Sequence, residues 1–198
     1  MRTSRRLELS AALFALAAVV AGCAPGQDKS LQGSLTARLS ASRPAGGAEG
    51  RAGGADDPLS RLLAVNVSFS GVEARGRDGG WVPVQNGLPV SVDLLALANV
   101  GDTVTLPGDL LPEGQYSALQ VRINQVDLTA LDGRHVTIAP EGRGWLVLVP
   151  VDFTVDLDRA TIVGLDVHLD QSIKFHDGVF EFDPDVDVDG IERGQVSN

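Results

Sequence analysis

The strongest constraint on the fold of this chain is a hydrophobic period of two. Leu63, Val65, Val67 and Phe69 alternate with Ala64, Asn66, Ser68 and Ser70. Leu119, Val121 and Ile123 alternate with Gln120, Arg122 and Asn124, and Val151, Phe153, Val155 and Leu157 with Asp152, Thr154, Asp156 and Asp158. Leu165, Val167 and Leu169 alternate with Asp166, His168 and Asp170. Successive side chains on a strand point to opposite faces, so each segment reads as a strand with one buried face. Shorter alternations occur at Leu35, Ala37 and Leu39, at Val90, Val92 and Leu94, and at Val136 and Ile138. Phe180, Phe182, Val186 and Val188 close the series. After Ile123 the phase flips to Val126 and Leu128, which predicts a bulge near Gln125. Gly71 predicts a kink in its strand. Trp145 to Val149 is continuously apolar, as for a strand covered on both faces. No long segment has helical period, apart from a single turn near Asp109. About nine strands with turns rich in Gly, Asp and Pro predict an all-β fold, an antiparallel β-sandwich of about seven to nine strands, Greek-key-like.

A different kind of segment precedes the strands. Arg2, Arg5 and Arg6 are followed by a mostly apolar run from Leu7 to Val20, broken by Glu8, and then by Val20-Ala21-Gly22-Cys23. A basic start, a short apolar stretch and small residues before a cut describe a secretory signal. The run is shorter than the roughly 20 residues needed to span a bilayer. Small residues before the only cysteine of the chain resemble the bacterial lipobox. That resemblance implies cleavage of residues 1–22 and acylation of Cys23, with palmitate among the chains. Several acyl chains, at about 0.8 kcal/mol per buried CH₂, hold a protein stably on a membrane. Ala24, in place of Asp, resembles outer-membrane rather than inner-membrane sorting. Residues 23–32 then read as a polar tether, residues 33–192 as the sandwich with a flexible Ala/Gly/Arg-rich loop at 41–57, and residues 193–198 as a tail.

Composition narrows the partners. The chain has 16 Lys and Arg against 26 Asp and Glu, a formal net charge of −10 over 198 residues. Removal of Arg2, Arg5, Arg6 and Glu8 with the leader leaves 13 basic and 25 acidic residues. Such a body has no basic patch for nucleic acid phosphates or anionic lipid, so the lipid does the anchoring. With one cysteine, no internal disulfide forms.

The order of segments resembles a known family. The matching stretches are Gly33-Ser34-Leu35, Val65-Asn66-Val67 through Gly71-Val72-Glu73, Trp81-Val82-Pro83-Val84 and Val92-Asp93-Leu94-Leu95. Leu111-Pro112-Glu113-Gly114-Gln115-Tyr116, Leu169-Asp170-Gln171-Ser172-Ile173 and Phe182-Asp183-Pro184 continue the match. They resemble the bacterial lipoprotein family of domain of unknown function 4382. The Leu-Pro-Glu-Gly-Gln-Tyr phrase is similar to one in transthyretin-like and carboxypeptidase-regulatory-like sandwiches and so marks a fold. Where the family carries Asp-Ala-Pro after the first strand, this chain has Ser42-Arg43-Pro44. The resemblance implies no catalytic residues.

Chemistry is concentrated in the acidic C-terminal third. Glu181, Asp183, Asp185, Asp187 and Asp189 share one parity. On one extended strand they would stand on one face about 6.6–6.8 Å apart. Asp183, Asp185, Asp187 and Asp189 are therefore the candidate metal ligands, with Ca²⁺ as the hard cation that carboxylates suit. The bland reading is a solvated acidic face that discourages edge pairing. Asp185-Val-Asp187-Val-Asp189-Gly190 begins like an EF-hand loop, but its twelfth position is Val196. His168 lies between Asp166 and Asp170, so the three are candidates for one face. Neither a Gly-x-Ser-x-Gly motif nor a phosphate loop occurs. Trp81 and Trp145 are either exposed platforms for sugar or fillers of the sandwich core. The expected function is a lipid-anchored, non-enzymatic module of the bacterial envelope that binds a protein or glycan. The alternatives are a Ca²⁺-dependent binding module and a carboxylate-based hydrolase.

Overall fold

The computed structural model describes residues 32–43, 57–84, 89–142, 144–157 and 159–195. The leader, Cys23, most of the expected tether and most of the expected 41–57 loop lie outside the described residues. Twelve strands, two short α-helices and one 3₁₀ turn (Pro58–Arg61) occur among those that are described. They are β1 (Gln32–Ser42), β2 (Leu62–Gly76), β3 (Trp81–Pro83), β4 (Val90–Asp93), α1 (Leu94–Val100), β5 (Val104–Pro112) and β6 (Gly114–Ala130). There follow β7 (His135–Ile138), β8 (Trp145–Val155), β9 (Arg159–His168), α2 (Leu169–Ser172), β10 (Ile173–His176), β11 (Val179–Phe182) and β12 (Val186–Gln195). None of the described helices is long and apolar enough to cross a membrane.

The strands form an all-β sandwich. One sheet has the order β12-β9-β1-β5. The other runs β3-β2-β6-β7, with β4 also on β2 and β8 also on β6. β10 and β11 form a separate hairpin. Leu35, Leu39, Val163, Leu165 and Leu106 from the first sheet share one core with Val67, Phe69, Leu119, Val121 and Ile123 from the second. The ladders are antiparallel except for one. β1 runs parallel to β9, from Ser34 opposite Ala160 to Ser42 opposite His168.

Two phase changes in the sequence have a single cause. Along the β2–β6 ladder Ser68 faces Gln125, Phe69 faces Ile123 and Gly71 faces Arg122. Asn124 is thus an extra residue on β6, and Ser70 is an extra residue on β2. The Ser70 hydroxyl donates to Asn124 Oδ1 at 2.7 Å. Because each strand gains one residue, both flip together and the pairing recovers. Val67 and Val126, Phe69 and Ile123, and Val72 and Val121 all stay buried opposite one another. The expected bulge near Gln125 and irregularity near Gly71 are the two halves of this device.

Other expectations are corrected. The run from Trp145 to Val149 is covered on one face only, since Leu146 and Leu148 are 50% and 52% exposed. The alternation through Val90, Val92 and Leu94 stops at Asp93. The Asp93 carboxylate accepts from the backbone N–H groups of Leu95 and Ala96 and so caps α1. Gly101, at φ 65, ends that helix in the left-handed region. No helical turn forms near Asp109, which lies in β5. Ala41 and Ser42, assigned to the loop, belong to β1. The register slips between Leu62 and Ala64, so Leu62 is buried and Leu63 faces out.

The Leu-Pro-Glu-Gly-Gln-Tyr segment carries the chain from β5 in one sheet to β6 in the other. Tyr116 Oη donates to the Pro112 carbonyl at 2.8 Å, and its ring stacks on Phe153 at 5.2 Å. This short bridge fixes the corner, as in the tyrosine corner of other sandwiches. Burial raises the Tyr116 phenol above its ordinary 10.0, and the charge of Asp78 adds to that. A raised folded-state pKa means the folded chain holds this proton longer than the unfolded chain. Its contribution to stability is intact below pH 10 and is lost as pH climbs through the folded pKa. Tyr116→Phe is expected to cost about 1 kcal/mol at neutral pH. It should also flatten the alkaline fall in urea midpoint. An unchanged midpoint–pH curve would refute the assignment.

Candidate functional site

The outer face of the larger sheet sets an exposed indole beside a polar hollow. Four strands cross it in the order β3, β2, β6 and β8. Pro83 lies opposite Glu73, Glu73 opposite Gln120, and Gln120 opposite Leu148. In the neighbouring rows Trp81 lies opposite Arg75, and Gly71 opposite Arg122, which in turn faces Leu146. The in-facing partners of these residues, among them Ala74, Leu119 and Val121, are buried, so strand alternation turns this set toward solvent. Trp81 is 39% exposed, and the Arg75 guanidinium carbon sits 5.9 Å from its ring centroid.

A hollow of about 180 Å³ opens on this face among Gly71, Glu73, Pro83, Gln120, Arg122 and Leu146. Its origin is local. Gly71 follows the paired bulges and has no side chain, and a Cβ built there would meet nothing within 4 Å. The face is therefore dented beside a carboxylate, an amide and a guanidinium, with apolar side chains at either flank. The other candidate platform does not share it. Trp145 is half-buried and meets Phe182 edge-on at 5.2 Å.

The smaller sheet carries a polar network on its own outer face. β1 supplies Ser40 and Ser42, β9 supplies Asp166 and His168, and β12 supplies Asp187. His168 Nδ1 is 2.9 Å from Ser42 Oγ, and Nε2 is 3.2 Å from Asp187 Oδ2. Asp166 Oδ2 lies 3.6 Å from Nδ1, and the Ser40 hydroxyl donates to Asp166 Oδ1 at 2.9 Å. Asp170, expected on the same face, instead sits exposed on α2. A hydroxyl and a carboxylate on opposite ring nitrogens is the contact pattern by which histidine activates serine. Acyl transfer also needs N–H donors aimed at the developing oxyanion. Here β9 is paired on both sides, by β1 and β12, and Asp187 is 76% exposed. The network pairs these polar groups with one another across three strands of the sheet face.

The acidic residues of the C-terminal third do not form one row. Pro184 separates β11 from β12, and Asp189 is a bulged residue between Val188 and Gly190. Lys174 Nζ donates to Asp183 Oδ2 at 3.0 Å, while Asp187 meets His168. The Asp185 backbone N–H donates to Ser172 Oγ at 3.0 Å. Among the described residues no group of three or more His, Cys, Asp or Glu side chains is arranged to hold a metal ion. A calorimetric titration with millimolar calcium chloride is therefore expected to give neither binding heat nor a rise in melting temperature. A rise with calcium concentration would show a site that these positions do not reveal.

Sequence reasoning missed the hollow and the Ser42–His168–Asp187 contact. The second depends on strand order, which one chain does not display. The first had a signal, the phase flips near Gly71 and Gln125, but each was read as an isolated irregularity.

Comparison with known proteins adds a family. The family model described as "Domain of unknown function (DUF4382)" matches residues 55–184. No curated protein and no solved structure matches the chain. The matched stretch takes in β2 to β11, while β1 and β12 fall outside it.

Proposed function

The chain belongs to the DUF4382 family, whose description carries no activity, and from that premise we propose a lipid-anchored, non-enzymatic binding module of the bacterial cell envelope. The observation that carries this reading is the place of the only cysteine, directly after Val20-Ala21-Gly22 and a basic, then apolar, leader. Its thiol is the nucleophile that a thioether-linked lipid needs. Cys23 then holds the sandwich on the membrane, with Ala24 favouring the outer one. The tether read after Cys23 gives the body reach, and the acidic surface keeps it in solution beside an anionic membrane.

Binding fits the larger sheet, whose outer face sets an exposed indole and two exposed leucines on rigid strands. The partner is an envelope protein or glycan. Among the described residues the Ser42–His168–Asp187 contact ties β1, β9 and β12 together, which favours binding over catalysis.

The anchor is tested on native material. Intact-mass analysis is expected to show acyl chains on Cys23 as the first residue, and the protein should enter the detergent phase on partition. Cys23→Ser should leave residues 1–22 attached or release the body to the aqueous phase. An unmodified, water-soluble native chain would sink the proposal.

A further inference from the structure

We infer that the dented outer face of the larger sheet is a saccharide site, with Trp81 as its stacking platform; the inference rests on reading the chain as a binding module. Its chemistry is that of a sugar ring, which has an apolar C–H face and a rim of hydroxyls. The exposed Trp81 indole offers a flat apolar surface with Arg75 against it. Beside it the hollow is lined by the Glu73 carboxylate, which accepts, and the Gln120 amide, which both donates and accepts. At about 180 Å³ it is smaller than the pockets that take drug-sized molecules, and it suits one ring of a longer chain. From β3 to β8 the face spans three strand spacings, roughly 14 Å. It therefore accepts a short run of sugar units, from the indole, through the hollow, to Leu146 and Leu148.

The layout argues against a protein occupant. Protein interfaces bury apolar residues at the centre and place charges at the rim. This face does the reverse. Glu73, Gln120 and Arg122 are central, while Trp81 and the two leucines lie at the flanks. A glycan, hydroxylated along its whole length, pairs with such a centre at little desolvation cost.

The test uses the full chain in detergent micelles. The probes are soluble xylan, mannan, dextran and glycogen cast into native gels, and purified peptidoglycan sacculi for co-sedimentation. At least one probe is expected to retard or pellet the protein. Trp81→Ala should weaken that at least tenfold. Gly71→Leu should do the same by filling the hollow, and its Cβ has open space, so the strand should tolerate it. Lys174→Ala, on the separate β10–β11 hairpin, should bind as the parent does. Circular dichroism checks that each variant folds. If no probe retains the parent, or if Trp81→Ala and a folded Gly71→Leu bind unchanged, the saccharide site is wrong. A photo-crosslinker at position 148 that captures a protein, with no probe retained, overturns the glycan and leaves the binding module standing. A probe that is shortened on incubation overturns the non-enzymatic reading itself.

Discussion

A chain cut back to residues 55–184, the stretch the family model covers, is expected to lose its cooperative fold. The cut removes β1, which lies in the middle of a sheet and not at its edge. β1 pairs with β9 from Ser34 to Ser42 and with β5 from Gln32 to Leu39. Its Leu35, Ala37 and Leu39 side chains are each 1% exposed, so their loss opens the core along its length. β5 would lose its sheet partner and β9 one of its two, and bare strands invite pairing between molecules. The same cut removes β12, which covers the other side of β9. Removing even one buried leucine costs about 2–5 kcal/mol, and a domain has only about 5–15 kcal/mol to lose. The 55–184 fragment should therefore be insoluble or melt without a transition, whereas residues 32–195 should melt as one unit. A sharp two-state melt of the short fragment, with native-like circular dichroism, would show that β1 is dispensable.

Phe69→Ala is expected to be the most damaging single truncation, at about 3–5 kcal/mol. Phe69 is 1% exposed and is the last inward residue of β2 before the paired bulges. Its neighbours cannot close in readily, because Ser70 and Asn124 fix where each strand turns over. The cavity should therefore persist, which places the cost toward the upper end. Urea unfolding would register it as a lower midpoint with an unchanged slope. Leu148→Ala, at an exposed position on β8, should stay within about 0.5 kcal/mol of the parent. Equal losses in the two variants would mean that the core is not where the burial places it.

What was legible in the sequence was whatever a strand writes into its own alternation. β2, β6, β8 and β9 bury one face each, so Val65, Val121, Phe153 and Leu165 announce themselves. β5 does not, because Pro107, Gly108 and Asp109 are exposed and only Leu106 and Leu111 point inward. α1 was hidden because Val90 and Val92 set a period of two that Leu94 happens to continue. Its real signals were the cap at Asp93 and the stop at Gly101, both of which lie in the backbone chemistry and not in the hydrophobic pattern. The acidic row misled for a related reason. Parity is a property of one unbroken strand, and Pro184 and the bulge at Asp189 break it twice. The dented face was visible only in part, since Trp81 marks a candidate while the dent needs two strands in register.

The parallel pairing of the first strand sets an order of events during synthesis. Ser34 leaves the ribosome long before Ala160, its neighbour across the ladder. Until then Leu35 and Leu39 have at most one side of their sheet to join. Contacts so distant along the chain make folding slow, on the scale of milliseconds to seconds for sandwiches of this type. Until its last third is available the chain therefore carries β1 with one side unpaired, an edge open to pairing with other chains.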